Sequence, residues 1–310
     1  MTQATLTVTD PVILEFAQLV GTDDPVAVAG ARTRWDVGGP LAEGSRIIEA
    51  PAGVVDYIPE EMVVTVRAGT PVAELAAVLA ERGQRCALPD RGGTVGGAIA
   101  VGQNDLNVMG KGRLRNSVLQ VRYVSAEGRV VTGGGPTVKN VTGFDLPRLM
   151  TGALGTLGLL GEVILRTNPT PARSQWFHSD HADPFAVLES VLKPSVVLWN
   201  GAETWVLLEG HPADVESEAR ALDRVAGFTL SDGPPELPPH RWSLSPAELR
   251  TFAIDHRSGN HLASIGVGTV FADQPQPPRA PDAVAQAVAQ RIKHQFDPTG
   301  RLNPGRNPGA

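Results

Sequence analysis

The amino-acid sequence predicts an α+β protein in two parts, and three observations carry that expectation. Short apolar strands alternate with capped helices, but without the regular strand–helix repetition of a doubly wound sheet. Glycine is concentrated between Gly83 and Gly161, in G-G-T-V-G-G, M-G-K-G, T-G-G-G and G-A-L-G-T-L-G-L-L-G. After Asn168-Pro169-Thr170-Pro171 the texture changes, and four of the five tryptophans follow residue 170. That shift places a boundary near residue 170.

The elements follow in order. Asp10 before Pro11 opens a helix through Val20, with proline at the first helical position. Val26 to Ala29 and Met62 to Val66 are apolar strands. Gly69-Thr70-Pro71 starts a helix that runs to Gly83, with Val72, Leu75, Ala76 and Leu79 on one face. Val118 to Val124 and Arg129 to Thr132, joined by Ala126-Glu127-Gly128, form a β-hairpin, and Leu159 to Thr167 is a further strand. Beyond the boundary come strands at Ser195–Trp199 and Thr204–Glu209, then a helix from Pro212 to about Val225. Two proline-rich loops follow, Asp232 to Pro239 and Asp273 to Pro281. A last helix from Pro281 to Phe296 sets Val284, Val288 and Ile292 on one side.

Composition narrows the function classes. With 310 residues, 42% hydrophobic and 19% charged, the chain reads as globular and long enough to enclose a cofactor. The longest apolar stretches fall well short of the ~20 residues of a spanning helix. The polar start, Met1 to Pro11, lacks a signal core, and the single Cys86 fits a reducing compartment, so a cytoplasmic location is expected. A net charge of −6 without a long basic run argues against nucleic acid as a partner.

Several familiar sites have no support in the sequence. There is no G-x-G-x-x-G, no Walker spacing, no G-x-S-x-G elbow and no H-E-x-x-H. The pairs His178/His181 and His256/His261 lack carboxylates in a ligand pattern, so no metal site is expected. What is present is an ordered set of glycine-bearing segments: Ala29 to Arg34, Leu88 to Ala98, Gly110 to Val118, and Lys139 to Asp145 continuing into Gly155 to Leu159. Consecutive N–H groups in such loops form concavities suited to a diphosphate. Glycine lets a ligand approach closely, and Arg32, Arg34 and Lys111 offer charge nearby. Tight turns are the plainer reading of any one segment, and the order of all four favours a ligand.

Here the sequence resembles a family. Val64 to Leu75 (V-T-V-R-A-G-T-P-V-A-E-L), Thr94 to Ala100 and Gly152 to Val163 are similar to the flavin-binding domain of the vanillyl-alcohol oxidase and p-cresol methylhydroxylase (PCMH) flavoproteins. The tail Phe296 to Arg306 (F-D-P-T-G-R-L-N-P-G-R) is similar to the lactate and glycolate oxidase branch. The run Val138 to Met150 resembles the E-subunit family of bacterial glycolate oxidases.

The resemblance implies a PCMH-type FAD-binding fold over residues 1–170, a smaller, truncated cap domain over 171–290, and a tail, 291–310, returning to the FAD site. It implies that Gly30, Ala31, Arg32, Thr33 and Arg34, with Pro89, Gly92, Gly93, Thr94, Val95, Gly96 and Gly97, line the FAD diphosphate. Gly155, Thr156, Gly158 and Leu159 would approach the adenine-ribose half or the diphosphate. Arg113, Lys139, Asn140 and Gly143 would sit near the cofactor, and Asn303 would fold back toward the flavin. The first loop, Val28 to Asp36, has no His, Cys or Tyr to form the covalent flavin link of many relatives, so FAD is expected to be non-covalent.

The histidine-rich H-G-x-G motif of catalytic relatives is missing, and His256, Arg257 and His261 are its nearest counterparts. The implied role is an FAD-binding subunit of a glycolate oxidase complex, relaying electrons from oxidation of a 2-hydroxy acid. It would work with a catalytic FAD subunit and an iron–sulfur subunit, and lie at the inner face of the cell membrane through that complex. Two alternatives stay open: a self-sufficient FAD oxidoreductase acting on a 2-hydroxy acid or alcohol, and a degenerate scaffold without flavin.

Overall fold

The structure, a computed structural model, describes residues 10–136, 144–255, 260–277 and 282–309. The chain divides into two compact units: Met1–Asp105 with Arg113–Pro169 and Pro281–Ala310, and Leu106–Gly112 with Thr170–Ala280. In chain order the helices are α1 (Pro11–Val20), α2 (Val72–Ala80), α3 (Val95–Val101), α4 (Val108–Lys111) and α5 (Leu114–Ser117). After them come α6 (Leu146–Met150), α7 (Pro184–Ser190), α8 (Pro212–Val225), α9 (Pro246–Asp255) and α10 (Ala283–Phe296).

The first unit holds strands β1 (Val26–Val28), β2 (Arg46–Ile48), β3 (Val54–Ile58), β4 (Val63–Arg67), β5 (Gln84–Cys86), β6 (Val118–Val124), β7 (Val130–Gly134) and β8 (Leu159–Pro169). β1 and β2 form a small parallel pair. The others make an antiparallel sheet in the order β3-β4-β8-β6-β7, with β5 joined to the far end of β8. β8 is central because its sequence is apolar on both faces: every residue from Leu159 to Leu165 is buried. α2 packs Leu75 and Leu79 into the same core as Val64, Val66, Val163 and Leu165.

α1 starts where Asp10 accepts a hydrogen bond from the Val12 N–H at 3.0 Å, and Gly21, at φ +64°, stops it. Its buried face is Ile13, Phe16 and Val20, of which Ile13 and Phe16 pack onto Gly161 of β8. Beneath it lies the charged residue that interrupts the apolar run of β8. Glu162, 2% exposed, meets Arg122 at 2.9 Å and Arg67 at 2.7 Å, the latter at an angle that makes it an ion pair rather than a hydrogen bond. Arg67 also reaches Asp10 at 2.5 Å. Replacing Glu162 with Ala leaves the buried Arg67 with Asp10 as its one carboxylate partner among the described residues, and a loss of about 2 kcal/mol is expected in chemical unfolding of the chain.

The second unit is built on strands β9 (Arg173–Ser179), β10 (Pro194–Trp199), β11 (Thr204–Gly210), β12 (Thr229–Ser231), β13 (His240–Ser243), β14 (His261–Ser264) and β15 (Thr269–Ala272). They form one antiparallel sheet, β12-β9-β11-β10-β14-β15-β13. One face carries Val197, Val206 and Ala263, packed with Leu222 of α8 and Phe252 of α9.

Three differences from the sequence reading have plain causes. Val95–Val101 is a helix, although the segment reads as a glycine loop: Thr94 caps it by accepting from the Gly97 N–H at 3.2 Å, and the apolar Val95, Ala98 and Ile99 are buried on the core side. The last helix contributes little packing along its Val284–Val288 stripe. Residues 282–291 are exposed, and only the final turn, Ile292 and Phe296, joins the core. α10 belongs with the first unit and residues 106–112 with the second, because contacts in space and not chain order define the units.

Candidate cofactor site

Five segments of the first unit converge on one cavity of about 370 Å3. They are the end of β1 with Ala29 to Ala31, the stretch Glu49 to Ala52, the exit of β4 at Ala68-Gly69, the start of α3, and the turn Gly155 to Leu160; Asn303 of the tail and Met150 complete the lining. Its walls are alanine and glycine because the backbones themselves touch. The Gly96 N–H donates to the Ala68 carbonyl at 2.7 Å, and a Cβ on Gly96 would stand 2.7 Å from the Ala68 Cβ. The Val72 N–H donates to Gly93 O and the Val95 N–H to Thr70 O, both at 2.9 Å, so β4 and α3 are laced side by side. At the other end of α3, the Gly152 and Leu154 N–H groups donate to Ile99 and Ala100.

A second cavity of about 100 Å3 shares Val28, Gly30, Ala31, Thr94, Gly97, Ala100 and Asn303 with the first and adds Arg32, Thr33, Arg34, Trp35, Gly93 and Arg306. Around it the N–H groups of Gly30, Ala31, Arg32 and Thr33, and of Gly92, Gly93 and Thr94, donate to no partner among the described residues. Arg34 donates to the Gly92 carbonyl at 3.1 Å, tying the two loops together. Burial pushes the Arg34 guanidinium down, and the neighbouring Arg91 charge adds to the effect. Arg306 is likewise lowered by burial, while Asp36 works the other way. Arg32, Arg34 and Arg306 form no ion pair among the described residues.

Open N–H groups, glycine-lined approaches and arginines outside any ion pair suit a ligand that carries phosphates beside an uncharged ring system. That is the chemistry of FAD, and the residues present fit it.

The structure brings together Gly30, Ala31, Arg32, Thr33, Arg34, Gly93, Thr94, Gly96, Gly97, Gly155, Gly158, Leu159 and Asn303 as cavity lining. Asn303, at φ +43°, is fixed by its backbone N–H donating to Val26 O at 2.8 Å, its Oδ1 accepting from the Val28 N–H at 3.3 Å, and its Nδ2 donating to Leu154 O at 2.5 Å. Pro89, Gly92, Val95, Arg113 and Thr156 line neither cavity. Val95 and Thr156 are core residues, and Arg113 is exposed at the start of α5. Lys111 belongs to the second unit. Lys139, Asn140, Gly143 and His256 lie outside the described residues. His261 is buried in the second unit between the Trp199 and Phe252 rings.

The sequence reading passed over Ala50, Ala52, Met150, Trp35 and Arg306. Arg306 and Met150 stood inside motifs it quoted and Trp35 inside the first loop, Val28 to Asp36; Ala50 and Ala52 carry no signal beyond small size.

Residues 12–134 match the family described as FAD binding domain. The chain is 30% identical to the glycolate oxidase subunit GlcE of Escherichia coli K12, over 93% of this chain and 94% of that one. It is 37% identical over 78 residues to the glycolate oxidase subunit GlcD of Bacillus subtilis, covering 25% of this chain and 17% of that protein. Among solved structures, an alkyldihydroxyacetonephosphate synthase superposes with a TM-score of 0.67 at 14% identity, over 95% of this chain and 74% of the other, a likeness of fold alone.

Proposed function

This chain belongs to the glycolate oxidase subunit GlcE family, and on that premise we propose that it holds FAD as one subunit of a complex that oxidises a small 2-hydroxy acid. In this reading the chain relays electrons between a catalytic flavin subunit and an iron–sulfur subunit. FAD supplies the redox chemistry when bound, and the chain supplies binding, orientation and electrostatics. The larger cavity takes the adenosine, the open N–H groups of residues 30–33 and 92–94 take the diphosphate, and Arg34 and Arg306 balance its charge. The attachment is non-covalent.

The observation that carries this reading is the pairing of N–H groups that have no partner among the described residues with arginines that form no ion pair there, at the edge of a cavity walled mostly by alanine and glycine. The relay role rests on the family the chain belongs to and on its sequence, which lacks the H-G-x-G motif of the catalytic relatives. Anaerobic mixing of the FAD-loaded chain with glycolate or D-lactate tests it. The flavin is expected to stay oxidised over minutes, and to be reduced once the partner subunits are added. Fast bleaching in the isolated chain would instead make it a self-sufficient oxidoreductase. Among the described residues no helix is long and apolar enough to cross a membrane, which is compatible with attachment to a membrane surface through the complex.

A further inference from the structure

Residues 30–42 form an irregular loop that supplies four of the open N–H groups, yet its own backbone provides little to hold it. Within it the structure records only short turns: Trp35 N–H to Arg32 O at 3.3 Å, Val37 N–H to Arg34 O at 3.4 Å and Gly39 N–H to Asp36 O at 3.2 Å. Beside the bond from Arg34 to Gly92 O, the C-terminal tail supplies the support. The Asn307 N–H donates to Gly38 O at 2.8 Å, and the Ala42 N–H donates to Pro304 O at 2.8 Å. Arg306 Nη1 donates to the Val37 carbonyl at 3.3 Å and also to Gly39 O. The same guanidinium lies 4.8 Å from the centre of the Trp35 ring, and Arg32 lies 5.1 Å from that ring. Arg32 holds a left-handed backbone, φ +55°, which an arginine adopts only where its surroundings impose it.

We infer that Arg306 is a positioning residue for the diphosphate loop: by gripping two carbonyls and one face of Trp35, it holds Gly30 to Thr33 with their N–H groups turned to the cofactor. The inference rests on the FAD reading and gives Arg306 a second role in it, that of holding the loop. A guanidinium suits the task because its Nη1 carries two N–H groups for the two carbonyls while its flat, weakly hydrated plane lies against an aromatic ring, a contact that a compact, strongly hydrated ammonium does not reproduce. The tail is therefore part of the cofactor site through Arg306 as well as through Asn303.

The test titrates the FAD-free full-length chain with FAD, ADP and adenosine by calorimetry, in wild type, Arg306→Ala, Arg306→Lys, Trp35→Ala and Trp35→Phe. Arg306→Ala is expected to weaken FAD and ADP at least tenfold while adenosine, which lacks the diphosphate, changes less than twofold. Arg306→Lys keeps the charge but loses the flat face against Trp35, and stays impaired; Trp35→Phe keeps the ring and binds nearly as wild type. The Trp35→Ala and Arg306→Ala losses are expected to be less than additive in the double variant, because both act through one loop. Wild-type ADP affinity in Arg306→Ala, full rescue by Arg306→Lys, or equal losses for ADP and adenosine would each overturn the inference and leave the FAD reading standing. Failure of the wild-type chain to bind FAD or ADP would overturn both. If Arg306→Ala does not fold, Arg306→Lys and Trp35→Ala decide the matter by the same ADP-to-adenosine comparison.

Discussion

Gly97→Leu is expected to abolish FAD binding while leaving the chain folded. Gly97 lines both cavities, so a leucine there occupies the space the cofactor needs. The position itself accepts a side chain. Its φ is not left-handed, and the atom closest to an added Cβ is the Thr94 Oγ1 at 3.1 Å, which caps α3, so a shift of a few tenths of an ångström weakens the cap without blocking the side chain. Replacing a helical glycine also recovers some backbone entropy, so stability is expected to change by no more than about 1 kcal/mol. Flavin retained after gel filtration should fall below a tenth of wild type, with the thermal midpoint of the cofactor-free chain nearly unchanged. Gly96→Leu makes the contrast. That Cβ would press on the Ala68 Cβ at 2.7 Å and the Ala68 carbonyl at 3.0 Å, so both stability and flavin should be lost.

Arg301→Ala has the largest expected effect on stability. Arg301 is 3% exposed and ties the end of α1 and the turn after it to the turn between β6 and β7. It donates to Asp24 O at 3.0 Å, to Ala126 O at 3.1 Å and to Val20 O at 2.7 Å. Alanine leaves those carbonyls without their donor in a buried setting, and a loss of about 4 kcal/mol is expected in denaturant unfolding. Its neighbour Asp297, 2% exposed, organises the same turn by accepting from the Leu302 N–H at 2.8 Å, the Arg301 N–H at 3.1 Å and Lys293 Nζ at 2.5 Å. Burial alone would raise the Asp297 carboxyl; the bonds from Lys293, Leu302 and Arg301 outweigh it and hold the group below its ordinary value of 3.8.

A carboxyl lowered on folding binds its proton less readily in the folded chain than in the unfolded one. Its share of stability is therefore complete above pH 3.8 or so, and is lost as pH falls through the lower folded value. Asp297→Asn should remove that share at neutral pH and flatten the acid limb of the stability curve. An unchanged acid limb would show that Asp297 does not set it.

Much of this was legible in the sequence, and particular residues show why. α1 and α8 are marked by Asp10-Pro11 and by the proline at position 212, local signals that tertiary packing had no reason to override. The run Leu159–Leu165 reads as a buried strand because it is nearly all apolar, and it became the centre of the sheet. Glycine density located the cavity, since glycine stands where two backbones meet, as at Gly96 and Ala68. The same density hid the helix α3, whose identity rests on Thr94 capping and on Ile99 being buried, both consequences of long-range packing. Trp35 and Arg306 meet across about 270 residues of chain, and no spacing rule reports such a contact. The three-residue strands β1, β2 and β5 exist because partners supply their hydrogen bonds, so their sequences carry little pattern of their own.

The central claim is that the first unit binds FAD through unpartnered backbone N–H groups beside a small-walled cavity. It is tested most directly by adding FAD to the cofactor-free chain, removing the excess by gel filtration, and recording the absorbance of the protein fraction. Trp35, the one tryptophan of the first unit, gives an internal check through quenching of its fluorescence. The account predicts flavin bands corresponding to one FAD per chain, released on acid denaturation because no bond is formed, and a quenched Trp35 signal. A protein fraction without flavin bands, and with tryptophan fluorescence unchanged by FAD, would contradict it.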